Sequence, residues 1–211
     1  MDGVKLLVSV PLASFRVAQA REYWETYPIP PPSTLYGMLL SLVGEENRLV
    51  HQGAELAVAL MSKPQRSVVL RTLWRVKNSK DGPGQKSNKR PDFQEIIGPV
   101  NLCMFIRKGQ REQADPCLAK RVQAALAAPG SISRFGALSL GESTFLVDEV
   151  KLWPEAMMQE GRWLVADPEG DMSLPVWPDH VGAKTSWGQY RLEEKGAMTV
   201  PPQGAWTVVS T

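Results

Sequence analysis

Four prolines stand between positions 28 and 32 (Pro28, Pro30, Pro31 and Pro32), and a helical pattern begins immediately after them. Proline removes a backbone donor and biases the residue before it toward extended geometry, so residues 21–32 must be a loop. Ser33 or Thr34 then caps a helix, because Leu35, Met38, Leu39 and Leu42 recur at i, i+3, i+4 and i+7 and Gly44 supplies the stop. A helix with one apolar stripe needs an apolar surface to lie on, which directs attention to the strands around it.

Residues 4–10 are an apolar, β-rich run ended by Pro11, and residues 56–61 suit a strand buried on both faces. From 68 to 77 the alternation is clean: Leu70, Thr72, Trp74 and Val76 face one way, Arg71, Leu73, Arg75 and Lys77 the other. Plain core packing is the expectation for Trp74, since it lies opposite the cations. Residues 78–90 are polar and contain Gly and Pro, an exposed loop or hairpin tip. An apolar strand pattern resumes over 93–106, broken at Gly98-Pro99. Asp115 as N-cap and Pro116 at the first helical position begin a second helix, with Leu118, Val122, Ala125 and Leu126 inward and Pro129-Gly130 at its end. A glycine-punctuated loop follows over 134–143, then a strand over 145–152, then a Trp- and Pro-rich remainder of short β segments. The order β-α-β-β(hairpin)-β-α-β predicts an α+β, ferredoxin-like (RRM-like) domain over residues 1–145, with a basic hairpin at about 75–95. Residues 146–211 are expected to form a small β-rich C-terminal lobe.

Composition excludes several classes. The chain has 211 residues, 43% hydrophobic and 22% charged, enough for one good core. No stretch approaches the ~18 apolar residues of a membrane span, and the N-terminus lacks signal-peptide character. Two cysteines and two histidines make neither a disulfide framework nor a zinc site. The expectation is a soluble, cytoplasmic chain with no metal and no cofactor.

The formal net charge of +2 conceals an asymmetry. Residues 63–90 carry nine basic residues against Asp81 alone, whereas residues 142–180 carry nine acids against Lys151 and Arg162. Such a run is often only a solvated face. Here the alternation gathers Arg71, Arg75 and Lys77 on one strand face, extended by Lys80, Lys86, Lys89 and Arg90 on the loop. Cations on a sheet face contact phosphates, and a basic tip can fold over a bound strand. Phe15-Arg16, Trp74 and Phe93 are candidate stacking partners. Ser33 and Thr34 open a helix whose free N–H groups favour an anion, as every helix end does. Gly136 and Gly141 allow close backbone approach, an ordinary tight turn being the plainer reading; their spacing is too wide for a dinucleotide fingerprint. Catalytic constellations are thin: His51 and His180 are the imidazoles, Tyr23, Tyr27 and Tyr36 lie near the helix entrance, and no nucleophile elbow is present.

The segment from Pro30 to Glu45, PPPSTLYGMLLSLVGE with Pro30 as its first residue, resembles the fifth family of CRISPR-associated (Cas) proteins, in the RAMP superfamily. Three features carry the resemblance: an aromatic-Arg pair after the first strand (Phe15-Arg16), a Pro-x-Ser-x-x-x-Gly helix opening (Pro31 to Gly37), and a Leu-Gly-x-Ser turn (Leu140 to Ser143). The family usually has a basic residue where this chain has Glu142. The flavour is similar to the Myxococcus-type branch of type I-B systems.

The resemblance implies a non-catalytic subunit of a type I Cascade surveillance complex, serving antiviral defence or RNA-guided transposition. Its RAMP domain would hold the 5′ handle of the CRISPR RNA, and the hairpin would be the family's thumb. Phe15, Arg16, Ser33, Thr34 and the 134–143 loop (Arg134, Gly136, Gly141) would cradle the handle, with residues 71–90 as thumb and root. Implied partners are CRISPR RNA, the backbone subunit, the large subunit, the processing nuclease and, through the complex, target DNA near the PAM. One branch of the family cleaves precursor RNA with Tyr, Lys and an adjacent His, and this chain contains no Lys-His pair. A metal-independent endoribonuclease is therefore the alternative, and an adaptor without RNA contact the third reading.

Overall fold

The computed structural model describes residues 3–154, 157, 159–179, 182, 184–194 and 196–210. It is a mixed α+β structure, mostly strands with two α-helices among the described residues. The strands are β1 (Gly3–Val10), β2 (Tyr23–Trp24), β3 (Glu55–Leu60), β4 (Gln65–Trp74), β5 (Lys89–Gly98), β6 (Val100–Arg107), β7 (Glu149–Leu152), β8 (Glu160–Ala166), β9 (Met172–Asp179), β10 (Lys184–Leu192), β11 (Gly196–Ala197) and β12 (Thr207–Val208). The helices are α1 (Pro32–Leu42) and α2 (Leu118–Ala127).

The main sheet runs β7-β1-β6-β3-β8-β10-β9, with β11 beside β8 and β12 beside β3. Pleating sends Val4, Leu6, Val8 and Val10 of β1 to one face, where they join Leu102, Met104 and Ile106 of β6 and the buried sides of α1 and α2 in the core. The opposite face holds a second core of Ala57, Ala59, Cys103, Trp163, Val165, Met198 and Ala205, covered by the C-terminal segment. This explains why β3 is buried on both faces. Residues 146–211 do not stand apart in the hydrogen bonding. β7 pairs with β1 and β8 with β3, so one sheet runs across the boundary expected at residue 145.

Helix α1 departs from its sequence pattern in two ways. It begins at Pro32 with Pro31 as N-cap and no side-chain cap, so neither Ser33 nor Thr34 plays that role. Tyr36 and Leu40 are buried along with the expected stripe, because β9 packs against the helix and brings Trp177 within 5.9 Å of the Tyr36 ring. Helix α2 begins at Leu118, not at Pro116. Its first N–H is served by the carboxylate six residues upstream, Glu112, whose Oε1 accepts from Leu118 N at 2.6 Å.

A second sheet, β2-β5-β4, joins the two strands flanking the basic tip to the short strand β2. It leaves the main sheet at Gly98, where a side chain would strike the Pro11 carbonyl oxygen at 2.1 Å. The 75–88 tip between β4 and β5 is tied together by Asn88, which is almost fully buried. Asn88 Oδ1 accepts from Lys77 N (2.7 Å) and Asn78 N (2.9 Å), and Nδ2 donates to the carbonyls of Asn78 (2.9 Å) and Asp81 (2.8 Å).

Candidate nucleic-acid interface

Register sets which groups of the small sheet meet. Leu70 stands opposite Phe93 and Trp74 opposite Lys89, whereas Arg71 stands opposite Asp92 and Leu73 opposite Arg90. The face carrying Leu70 and Trp74 is open to solvent, and Trp74 is 72% exposed. That reverses the expectation of core packing for Trp74. Among the described residues no helix covers that side of the small sheet, while its polar face turns toward polar partners.

Arg71 is the clearest case. Its Nη1 donates to Glu142 Oε2 at 2.8 Å and to Gln94 Oε1, and Gln94 Nε2 donates to Glu142 Oε1. Glu142, the departure from the family pattern, is thus engaged internally with Arg71. Trp24 lies close by, with the Arg16 guanidinium 3.9 Å from its ring centre and that of Arg71 at 6.0 Å. Glu95 anchors the same sheet by accepting from Thr26 N (3.0 Å), Arg66 Nη1 (2.8 Å) and the Tyr23 hydroxyl (3.1 Å). Burial alone would raise its carboxyl, but these bonds outweigh burial and hold the pKa below the ordinary glutamate value.

Four of the sequence-predicted cations are brought together. Arg75, Lys77, Lys89 and Arg90 line a groove of about 560 Å³, beside Phe93 and with Glu22 at the edge. Arg90 is partly engaged, its Nε 2.7 Å from Asp92 Oδ1 and its Nη2 3.9 Å from Glu22 Oε1. Phe93 is half exposed, so an aromatic face stands next to the cations. Lys80 and Lys86 are exposed on the tip, Lys86 Nζ lying 4.0 Å from Asp81. This arrangement offers phosphate contacts and a stacking surface in one place.

Other predicted site residues lie elsewhere or are occupied. Phe15 is 2% exposed, packed in the core, and cannot stack on a base; its backbone is held by Thr26 Oγ1 and Tyr27 N. Arg16 is exposed and stacks on Trp24. Ser33 Oγ donates to the Pro175 carbonyl at 2.9 Å, so its hydroxyl fastens α1 to β9, and Thr34 is half buried in the first turn. Arg134 and Gly136 are exposed on their loop. Gly141 is tightly placed: φ is +91°, and a Cβ would sit 2.5 Å from the Ser14 carbonyl oxygen. Glycine there lets the loop lie against the backbone at Ser14, a contact within the chain.

Two candidate acid-base groups, Tyr36 and His51, are enclosed, whereas Tyr23 is 42% exposed with its hydroxyl on Glu95. Tyr36 is buried and donates to the Arg48 carbonyl at 2.7 Å, and burial pushes its phenol well above the ordinary value. His51 is fully buried, with Nδ1 2.8 Å from Glu112 Oε1 and Nε2 3.0 Å from Arg121 Nη1. Arginine can only donate, so Nε2 accepts and Nδ1 carries the proton given to Glu112. His180 lies outside the described residues. No group of three metal-ligating side chains occurs among the described residues, and no helix there is long and apolar enough to cross a membrane.

Sequence reasoning missed Gln94, Asn88 and Trp24. The signal for the first was present, since Gln94-Glu95 interrupts an apolar strand with two polar residues. A buried polar pair in a strand demands partners, here Arg71, Glu142, Arg66 and Tyr23.

Comparison with known proteins agrees with the motifs. A family model described as CRISPR-associated protein (Cas_Cas5) matches residues 3–139. A protein of Myxococcus xanthus (strain DK1622) named CRISPR-associated protein Cas5 is 41% identical over 193 residues, covering 90% of each chain. Among solved structures, a chain from a CRISPR RNA-guided surveillance complex superposes with a TM-score of 0.66 at 14% identity, covering 96% of this chain and 95% of that one. A second, titled as the crystal structure of a Cas protein, gives 0.52 at 12% identity over 93% and 94%. With a match over most of its length in both family pattern and sequence, the chain belongs to the Cas5 family of CRISPR-associated proteins.

Proposed function

We propose that this protein is a non-catalytic CRISPR RNA-binding subunit of a type I Cascade surveillance complex, gripping the 5′ handle of the guide. The observation that carries the reading is the groove in which Arg75, Lys77, Lys89 and Arg90 converge beside Phe93. The similarity of fold to a chain of a CRISPR RNA-guided surveillance complex supports it. In this reading β1, α1, β3, β6, α2 and β7 form a ferredoxin-like RAMP core, supported by the order β7-β1-β6-β3 and by β6 lying between β1 and β3. The β4-β5 sheet and its Asn88-tied tip act as the thumb, and the strands from β8 onward act as the C-terminal part that meets other subunits. Partners are the CRISPR RNA, the backbone and large subunits, the processing nuclease and, through the assembly, DNA beside the PAM, all in the cytoplasm.

Arg16, Arg134 and the Gly136–Gly141 loop border the handle, with Lys80 and Lys86 reaching it from the tip. Phe15, Ser33 and Thr34 serve that surface from below, as packing. The absence of catalysis is supported by the enclosure of Tyr36 and His51, whose polar atoms are committed to Arg48, Glu112 and Arg121.

The test is a gel shift of purified protein with labelled precursor CRISPR RNA in EDTA, run beside a denaturing gel. A shifted, uncut RNA that depends on the handle sequence is expected. Four phosphate contacts on single-stranded RNA give a slope of about −3 in log affinity against log salt, and Arg75→Glu with Lys89→Glu flattens it to about −1.4 or shallower. Cleavage at the base of the handle overturns the non-catalytic reading. Handle-independent binding, or an unchanged double variant, overturns the groove.

A further inference from the structure

At the far end of the main sheet lies a larger groove, about 880 Å³, that contains none of the residues assigned to RNA. Lys5 of β1, Phe105, Arg107 and Lys108 at the end of β6, and Val200 and Trp206 from the C-terminal segment bound it. It opens on the sheet face turned away from α1 and α2. Register places Lys5 beside Phe105 and Gly3 beside Arg107, at the end of β1 opposite to Val10, where the chain departs toward the small sheet. The length of β1, roughly 20 Å at strand rise, and the length of the small sheet beyond it therefore lie between the two grooves.

The two rings that line this groove, Phe105 and Trp206, stand beside the protein's own cations, and Trp153 next to the groove carries Lys5 as well. Arg107 lies 3.9 Å over Trp206; Lys5 lies 3.8 Å over Trp153 and 5.2 Å from the centre of Phe105. Trp206 meets Phe105 edge-on at 6.4 Å, and Trp163 packs on it at 5.7 Å. Lys5 Nζ also donates to the Met198 carbonyl. A nucleobase stacking here would compete with Arg107 for Trp206. What remains open is an apolar wall, including Val200 at 60% exposure, under a cationic rim. Among the described residues no carboxylate lines the groove; Glu55 pairs with Arg107 at 2.6 Å from outside it, and Lys5 and Lys108 are the other cations of the lining. Tryptophan and arginine around an apolar centre are the composition of a protein–protein anchor site, and the sign of the rim selects an acidic partner.

We propose that this groove docks a segment of another protein subunit, an apolar anchor side chain (Leu, Met or Phe) flanked by Asp or Glu. The proposal rests on the reading of the chain as a subunit of a surveillance complex, and it names a surface of contact separate from the RNA groove.

The test uses the complex assembled from purified subunits and guide RNA, with composition read by native mass spectrometry. Lys108→Glu with Val200→Asp alters two exposed positions that the fold does not need, which an unchanged melting temperature verifies. This variant is expected to lower retention of one protein subunit roughly tenfold, with the isolated chain's affinity for handle RNA unchanged. A photoreactive benzoyl-phenylalanine at position 203 is expected to cross-link to a stretch of that subunit combining apolar and acidic residues. Retention of every subunit overturns the proposal, as does a cross-link to RNA or a parallel fall in RNA affinity, either of which makes the groove a nucleic-acid site. A wild-type chain that binds handle RNA yet enters no complex overturns the docking site while leaving the RNA reading intact. One that does neither removes both.

Discussion

Arg71 on β4 and Glu142 in the loop before β7 meet at 2.8 Å, and Gln94 of β5 bonds to both. The small sheet is thereby fastened to the glycine loop through a cation that its strand pattern would otherwise offer to a phosphate. Glu142→Gln removes the competing charge while keeping a hydrogen-bonding side chain. Handle affinity in gel shift is expected to rise about threefold, near the scale of one partly exposed ion pair, about 0.7 kcal/mol. The melting temperature falls by no more than about 4 °C. An unchanged or weaker affinity would show that Arg71 does not reach RNA.

Glu112 is a buried hub for His51 and the first N–H of α2. Glu112→Ala leaves both donors without a partner and Arg121 with a disturbed neighbour. Leaving two buried donors unsatisfied costs about 3 kcal/mol together, or about 6–12 °C in Tm for a chain of this size. Calorimetry of the variant showing a shift under 2 °C would contradict the geometry.

Two glycines of one loop separate strain from crowding. Gly136 has φ +74° with nothing within 4 Å of an added Cβ, whereas Gly141 has φ +91° and the Ser14 carbonyl at 2.5 Å. Gly136→Ala is expected to cost about 1 kcal/mol. Gly141→Ala carries the same backbone cost and must also push the loop off Ser14. Denaturant titration of the pair should rank Gly141→Ala clearly the worse, and equal losses would sink this explanation.

Cys103 sits in the back-face core, where burial pushes its thiol up to about 12, the nearby Lys5 ammonium only partly offsetting this. Little thiolate exists at neutral pH. In a Cys117→Ser background the native protein is expected to stay silent toward a disulfide reagent at pH 8 and to react on unfolding. Rapid labelling of the folded protein would show that the back face opens.

Stability should form a dome in pH with identifiable limbs. Burial raises the phenols of Tyr36 and Tyr190, so the folded state keeps protons that unfolded tyrosines lose above about pH 10, and stability falls as pH rises beyond it. On the acid side, Arg121 holds Glu45 below its ordinary value; for Glu95, burial works in the opposite direction and the Thr26, Arg66 and Tyr23 bonds prevail. The unfolded chain then takes up more protons as pH drops through about 4, and stability is lost there. Chemical denaturation from pH 3 to 11 checks both limbs, and a Tyr36→Phe variant should shallow the alkaline one.

Local pattern determined a great deal. The stripe Leu35, Met38, Leu39 and Leu42 formed the expected helix, the 56–60 run formed a strand buried on both faces, and Gly98-Pro99 marked the passage from one sheet to the next. Periodicity and backbone chemistry act between near neighbours, so these features are written in short windows of sequence. The motifs around residues 15, 30–45 and 140 likewise marked the family that the comparisons then showed. Tertiary structure decided what those windows leave undetermined: which side of an alternating strand is inward, and whom each charge meets. Arg71 turned toward Glu142 and Trp74 toward water because the partners came from β5 and from a loop some seventy residues away. Tyr36 and Ser33 were claimed by β9. The groove beside Lys5 joins the first strand to residues near 200, a meeting that only the folded chain brings about.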